Sequence, residues 1–178
     1  MNLKLIILLS LVSLSSLVHA TDGEITFTGR VLDTTCTLGG TDGDYTVTLP
    51  TVGKTALSTT GATAGDTTFN IELTDCPIST GISAFFDNTI TEVLSSGRLK
   101  NTATSGAAGN VDIELLNANG APLKLHLGTA NAQLSTKVEN STTGGGVTLG
   151  FKARYYATAP VTSGGEVASR AVYTIIYE

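Results

Sequence analysis

Apolar and polar residues alternate with a period of two in one short run after another along this chain. The runs lie at about 24 to 36, 45 to 49, 67 to 73, 82 to 86, 111 to 116, 123 to 127, 132 to 138, 147 to 158 and 167 to 177. Side chains on a strand point alternately to its two faces, so each run predicts a strand with one buried face. Between them stand "LGGTDGD", "STTGATAGD", "TATSGAAGN", "NANGAP", "STTGGG" and "TSGG", which are turn and loop chemistry. No long amphipathic helix fits anywhere. The expected class is all-β, and regular spacing of this kind points to a β-sandwich in one domain.

Two of the runs raise a question that an ordinary sandwich does not answer. The last, in "GEVASRAVYTIIYE", places Val167, Ala171, Tyr173, Ile175 and Tyr177 on one face and continues to within one residue of the end of the sequence. A strand this apolar calls for a neighbour on each side, because an uncovered one exposes both side chains and unpaired backbone groups. The first, in "TDGEITFTGRVLDTTC", sets Gly23, Ile25, Phe27, Gly29 and Val31 against Asp22, Glu24, Thr26, Thr28 and Arg30. Glycine inside a strand weakens it unless something approaches closely there, and this face carries two glycines.

Composition refines the picture. Charged residues make up only 14% of the chain, Trp is absent, and Gly, Thr, Ser, Ala and Val dominate, which favours short strands and turns over helices. The opening "MNLKLIILLSLVSLSSLVHA" has Lys4, an apolar run, and Val18 and Ala20 in the small-residue positions of a cleavage site. It reads as a secretory signal over residues 1–20, too short and too broken by serines for a membrane anchor. Removing it leaves nine of the ten basic residues against fifteen acidic ones, moving the formal charge from −5 to −6. That balance argues against nucleic acid as a partner, and no later segment is apolar enough for membrane insertion. Export also places the only two cysteines, Cys36 and Cys76, in an oxidising compartment, where an even pair is most simply a disulfide.

A search for catalytic chemistry comes back almost empty. No nucleophile elbow, P-loop, dinucleotide fingerprint or zinc-protease helix occurs. His126, between Leu125 and Leu127, is expected on the solvent face of a strand. Asp42 and Asp44 in "TDGDY" lack the rest of a calcium loop and read as a turn. Asp33, Asp75, Asp112 and Glu114 are expected to be solvated or to cap turns, and the glycosylation triplet at Asn140 is a common chance match. The expectation is a protein that is not an enzyme, with no catalytic or metal residues and no cofactor.

Taken in order, "GRVLDTTC", "VTLPTVGKTAL", "FNIELTDCP", "VDIELLNANGAPLKL", "FKARYYATA" and "GEVASRAVYTIIYE" resemble subunits of bacterial fimbriae assembled by the chaperone–usher route, in particular type 1 major-subunit-like pilins. The resemblance implies an incomplete immunoglobulin-like sandwich lacking its last strand, so that the final strand borders an apolar groove. A donor strand fills such a groove, first from a periplasmic chaperone and then, at the outer-membrane usher, from the N-terminal extension of the next subunit. Carried onto this sequence, the extension is residues 21–28 with Gly23, Ile25 and Phe27 as donor residues, and the pilin domain is 29–178. The acceptor groove includes Ala171, Tyr173, Ile175 and Tyr177, and Glu178 supplies the terminus that the chaperone anchors. The expected partners are other copies of the chain, neighbouring pilins, the chaperone and the usher; the expected place is the cell-surface fimbrium, reached through the periplasm. The expected role is that of a structural subunit, major or minor, supporting adhesion and biofilm formation, with a secreted sandwich that binds a small ligand or carbohydrate as the alternative. The extension is shorter than in many major pilins, and Tyr173 stands where many relatives carry Phe. Its hydroxyl therefore needs a partner if it is buried.

Overall fold

The computed structural model describes residues 23–139 and 145–178, which places the signal segment, Thr21, Asp22 and Asn140 outside the described residues. The chain divides into two units, one running to Leu32 and the other from Asp33 to Glu178. In the first unit, residues 23–32 form no strand, and the side chains of Ile25, Phe27 and Val31 are exposed by 79%, 89% and 96%. The strand expected over residues 24 to 36 is therefore absent. Alternation supplies a face, but a strand also needs a neighbour to take its backbone hydrogen bonds.

Among its described residues the second unit has eight strands: β1 (Thr37–Leu38), β2 (Thr63–Cys76), β3 (Gly81–Phe86), β4 (Leu99–Lys100), β5 (Val111–Asn117), β6 (Lys137–Glu139), β7 (Gly145–Ala157) and β8 (Tyr173–Tyr177), and one 3-10 turn at Lys54–Leu57. They form two antiparallel sheets. The larger has the order β1-β2-β7-β5-β4, and the smaller has the order β6-β3-β8. The long β2 and β7 ladder is the spine of the larger sheet, with Phe69 opposite Phe151 and Ile71 opposite Leu149. Inward residues of both sheets, among them Ile71, Leu73, Leu115, Leu149 and Phe151 from one and Ile82, Ala84 and Phe86 from the other, make the main core. The edge of Phe86 meets the face of Phe151 with ring centroids 5.3 Å apart, an arrangement favoured by the ring quadrupoles. A second, smaller core gathers Leu57, Ala108, Val111, Ala157 and Val161 at the other end of the sandwich.

Cys36 and Cys76 are joined by a disulfide, both buried, with their Cα atoms 4.1 Å apart. The bond ties the residue before β1 to the last residue of β2.

Asp112 and Glu114 depart from expectation, for they are buried and neither solvated nor turn-capping. Both lie on the outer face of β5. Arg154 of β7 donates to Glu114 from Nη2 and Nε at 2.7 and 2.9 Å, and Arg98 donates to Asp112 at 3.4 Å while stacking 3.9 Å over the Tyr156 ring. Burying a carboxylate is tolerated only with such partners. His126 is exposed as expected, but beyond a short bridge at Pro122 and Leu123 to β5 its segment forms no ladder. There the carbonyls of Leu125 and Leu127 accept from the side-chain amide of Gln133, which is fully buried.

Candidate functional site: an open groove beside the last strand

The smaller sheet ends at β8. Its register with β3 pairs Ile82 with Tyr177, Ala84 with Ile175 and Phe86 with Tyr173. Gly81 and Glu178 exchange both backbone hydrogen bonds at 2.8 Å. In an antiparallel ladder such pairs alternate with pairs whose groups point the other way. The N–H and C=O groups of Tyr173, Ile175 and Tyr177 therefore face away from β3, toward an edge with which no strand pairs among the described residues. Side chains follow the same period: Ala171, Tyr173, Ile175 and Tyr177 turn inward and pack, half-buried, against the main core.

The edge continues upstream of β8. Backbone hydrogen bonds from Thr102 to Ala168 and from Ala108 to Glu166, together with the side chain of Asn101, hold residues 166 to 168 against the loop before β5. Glu166 and Ala168 use their backbone on that side, which turns Val167 and Ser169 to the other. Facing them across a gap is the stretch from Tyr45 to Val52. Here Tyr45, Val47 and Leu49 are half-buried while Thr46, Thr48 and Pro50 are exposed, the alternation of a strand in a segment that has no strand partner among the described residues.

Between these two walls runs a groove made of two adjoining cavities of about 400 and 540 Å³. The first has an apolar floor of Phe69, Ile71, Phe86, Leu115 and Ala153, all members of the main core or packed on it. Beneath the second lie Val52, Leu57, Val111, Tyr155 and Val161 of the smaller core, with Lys54, Thr51 and Glu166 at its rim. Val47, Leu49, Ile113 and Ser169 belong to both. The Ser169 hydroxyl is buried there without a hydrogen-bond partner among the described residues. A slot with an apolar floor, between two segments whose facing backbone groups have no strand partner among the described residues, has the form of a sandwich from which one strand is missing.

Of the acceptor residues expected from the sequence, Ala171 and Tyr173 line the groove, whereas Ile175 and Tyr177 pack on the core beyond its end. The Tyr177 hydroxyl accepts from the Cys36 N–H at 2.9 Å. The Tyr173 hydroxyl finds the partner it needs in the Gly43 carbonyl, 2.6 Å away, and burial pushes its pKa up, so that it remains a donor. Glu178 is exposed. Its side chain pairs with Lys137 at 3.0 Å, and Lys137 also holds Glu139. The expected donor residues Gly23, Ile25 and Phe27 lie in the other unit. Sequence reasoning missed the facing wall as a site, although the alternation in "YTVTL" carried the signal.

This all-β sandwich of two antiparallel sheets, with an open slot beside β8, matches the fold of chaperone–usher pilus subunits. The P pilus rod subunit PapA has the same fold, with a TM-score of 0.56 over 80% of this chain and 99% of that one at 16% identity. The family described as FimA: Type-1 fimbrial protein, A, matches residues 49–178. The major fimbrial subunit SMF-1 of Stenotrophomonas maltophilia is 42% identical over 161 residues, covering 89% of this chain and 94% of that protein. The type-1 fimbrial protein A chain of Escherichia coli is 32% identical over 182 residues, covering 97% and 96%. The chain belongs to the type-1 fimbrial protein family and is a structural subunit of a surface fimbria. Among the described residues no helix is long and apolar enough to cross a membrane.

Proposed function

We propose that this subunit polymerises by lending the segment from residue 21 to 28 to the groove of a neighbouring copy, and that residues 1–20 are a cleaved secretory signal. The observation that carries the reading is the pairing of opposites in one chain. Ile25 and Phe27 are almost fully exposed, and the slot between Tyr45–Val52 and Ser169–Tyr173 is lined with core residues and open. Moving each large apolar side chain from water into such a slot contributes about 1.5 to 3 kcal/mol, and each ladder hydrogen bond about 1 kcal/mol. Gly23 allows close approach to a shallow part of the floor. In this reading Glu178, paired with Lys137, is where the chaperone anchors the subunit before exchange. Fibres assembled this way support adhesion and biofilm formation.

The experiment compares two substitutions one residue apart. Phe27→Asp puts a charge where the slot takes a ring, while Thr28→Asp alters the opposite face. Expressed with the chaperone and usher, the first should abolish fibres in sheared surface fractions and on electron micrographs, and the second should leave them. Equal tolerance of both would remove this segment as the donor.

A further inference from the structure

The groove does not run the whole length of the last strand. Its open part stops at Tyr173, and past that point the side chains of Tyr173, Ile175 and Tyr177 pack on the core between the sheets. The turn at Asp42 and Gly43 closes over this end. Both residues have positive φ, 55° and 84°, as a tight two-residue Asp-Gly turn requires, and Asp44 donates back to Thr41 at 2.9 Å. Three tyrosine hydroxyls then fasten the segment that carries the turn. Tyr173 donates to the Gly43 carbonyl at 2.6 Å, Tyr177 accepts from Cys36, and Tyr45 donates to the Glu72 carbonyl and accepts from the Glu72 N–H. Gly43 sits at a positive φ that other residues adopt only with strain, so the turn disfavours any side chain there.

We infer that the Tyr173–Gly43 contact is an end-stop that fixes how far a donor strand penetrates, making Tyr173 a specificity-determining residue for the length of the donor. The inference rests on the donor-strand reading above and refines it. A strand lying on the outward edge of β8 finds backbone partners at Tyr173, Ile175 and Tyr177, but its side chains find depth only as far as Tyr173. Residues of a longer donor that reach past the stop meet occupied space. The extension of this chain, Thr21 to Thr28, is correspondingly short, so groove and donor are truncated together. A phenylalanine in place of Tyr173 has no hydrogen to give Gly43, and the turn loses its hold on β8.

The test uses the mature chain refolded from denaturant with fluorescent donor peptides, binding being read by anisotropy. One peptide is Thr21 to Arg30; the others carry an added Thr-Val-Thr at its N-terminus or Val-Thr-Thr at its C-terminus, each of which places one valine on the face of Ile25 and Phe27. In the native protein one lengthened peptide should bind more tightly than the parent, by about tenfold, because one further apolar side chain is buried at the open end. The other should show no gain. In Tyr173→Leu, and to a smaller degree in Tyr173→Phe, the blocked peptide should gain about tenfold while the rest are unchanged. Equal behaviour of the two lengthened peptides in the native protein, or an equal effect of Tyr173→Leu on both, overturns the end-stop. Failure of even the parent peptide to bind the native protein overturns the donor-strand reading instead.

Discussion

Gln133 offers a quantitative test of how β3, the strand that carries β8, is held. Its side chain is fully buried, and its amide serves the far edge of β3 where β6 has ended. Oε1 accepts from the Phe86 N–H at 3.0 Å, and Nε2 is shared among the carbonyls of Phe86, Leu125 and Leu127 at 2.7, 3.0 and 2.9 Å. Phe86 is the residue that pairs with Tyr173 at the end of the groove. Gln133→Leu keeps the volume and removes every one of these bonds. The Phe86 N–H then has no partner, and each buried group left unpaired costs about 1 to 3 kcal/mol. Two such penalties at Phe86 and a smaller one at the other carbonyls, offset by the apolar gain of leucine, come to about 3 to 5 kcal/mol. Set against a total stability of about 5 to 15 kcal/mol, that is a large fraction. Gln133→Glu is nearly isosteric but turns a carboxylate toward three carbonyls, so its loss should be larger at neutral pH and shrink as the acid protonates. The assay is urea unfolding at one saturating concentration of the Thr21 to Arg30 peptide, since bound peptide itself adds stability by mass action. A Gln133→Leu protein within about 1 kcal/mol of the native one would refute the assignment of Gln133 as the brace of β3.

Further outcomes follow from the disulfide and from the titrating groups. Mass spectrometry of the unreduced chain should find no free thiol, and replacing Cys36 and Cys76 together by serine should cost roughly 4 kcal/mol in thermal or urea unfolding; two alkylatable thiols in the native protein would contradict the bond. Stability should form a plateau across neutral pH and decline on both sides. Hydrogen bonds from Arg170 to Glu92 and from Thr89 to Asp87 lower both acids below their ordinary 4.5 and 3.8, so their contribution is complete above those values and is lost as pH falls beneath them. Burial raises Tyr173 and Tyr155 above 10.0, so theirs is complete below pH 10 and is lost as pH climbs past it. Melting midpoints of Glu92→Gln and Tyr173→Phe should flatten the acid and alkaline limbs respectively, and an unchanged acid limb in Glu92→Gln would exclude that pair as its source.

Much of this arrangement was legible in the chain because it depends on period and position. The alternation from Tyr173 to Tyr177 predicted a strand with one buried face, and β8 is that strand. Leu125 and Tyr45 show where the same reasoning overreaches. Both sit in alternating runs and both bury as a strand would, yet neither run forms a ladder: the carbonyls around Leu125 are taken by a side-chain amide, and the stretch after Tyr45 faces the empty slot. Alternation reports which side chains are buried, and it is silent on what takes up the backbone. Gln133 was hidden for the converse reason, since a glutamine next to Leu134 reads as surface until the fold shows which carbonyls converge on it. The buried Asp112 and Glu114 were similarly misread because their arginine partners come from elsewhere in the chain, Arg98 and Arg154.

The Cys36–Cys76 bond has a mechanical meaning once subunits are joined in a fibre. Under the proposed donor-strand exchange, tension would enter a subunit at its groove and leave through the extension that precedes Cys36. A pull on Leu32 is relayed within a few residues to Cys36, and there the covalent bond passes it straight to Cys76 at the end of β2, whose ladder with β7 is the longest in the molecule. The chain between the two cysteines, 40 positions apart in sequence, is bypassed. That bypassed stretch contains β1, the Asp42–Gly43 turn and the whole Tyr45–Val52 wall. Load on the fibre therefore cannot peel this wall away from its neighbour's strand by unravelling it from the N-terminal side; the covalent shortcut leaves the grip slack while the spine of the larger sheet takes the strain.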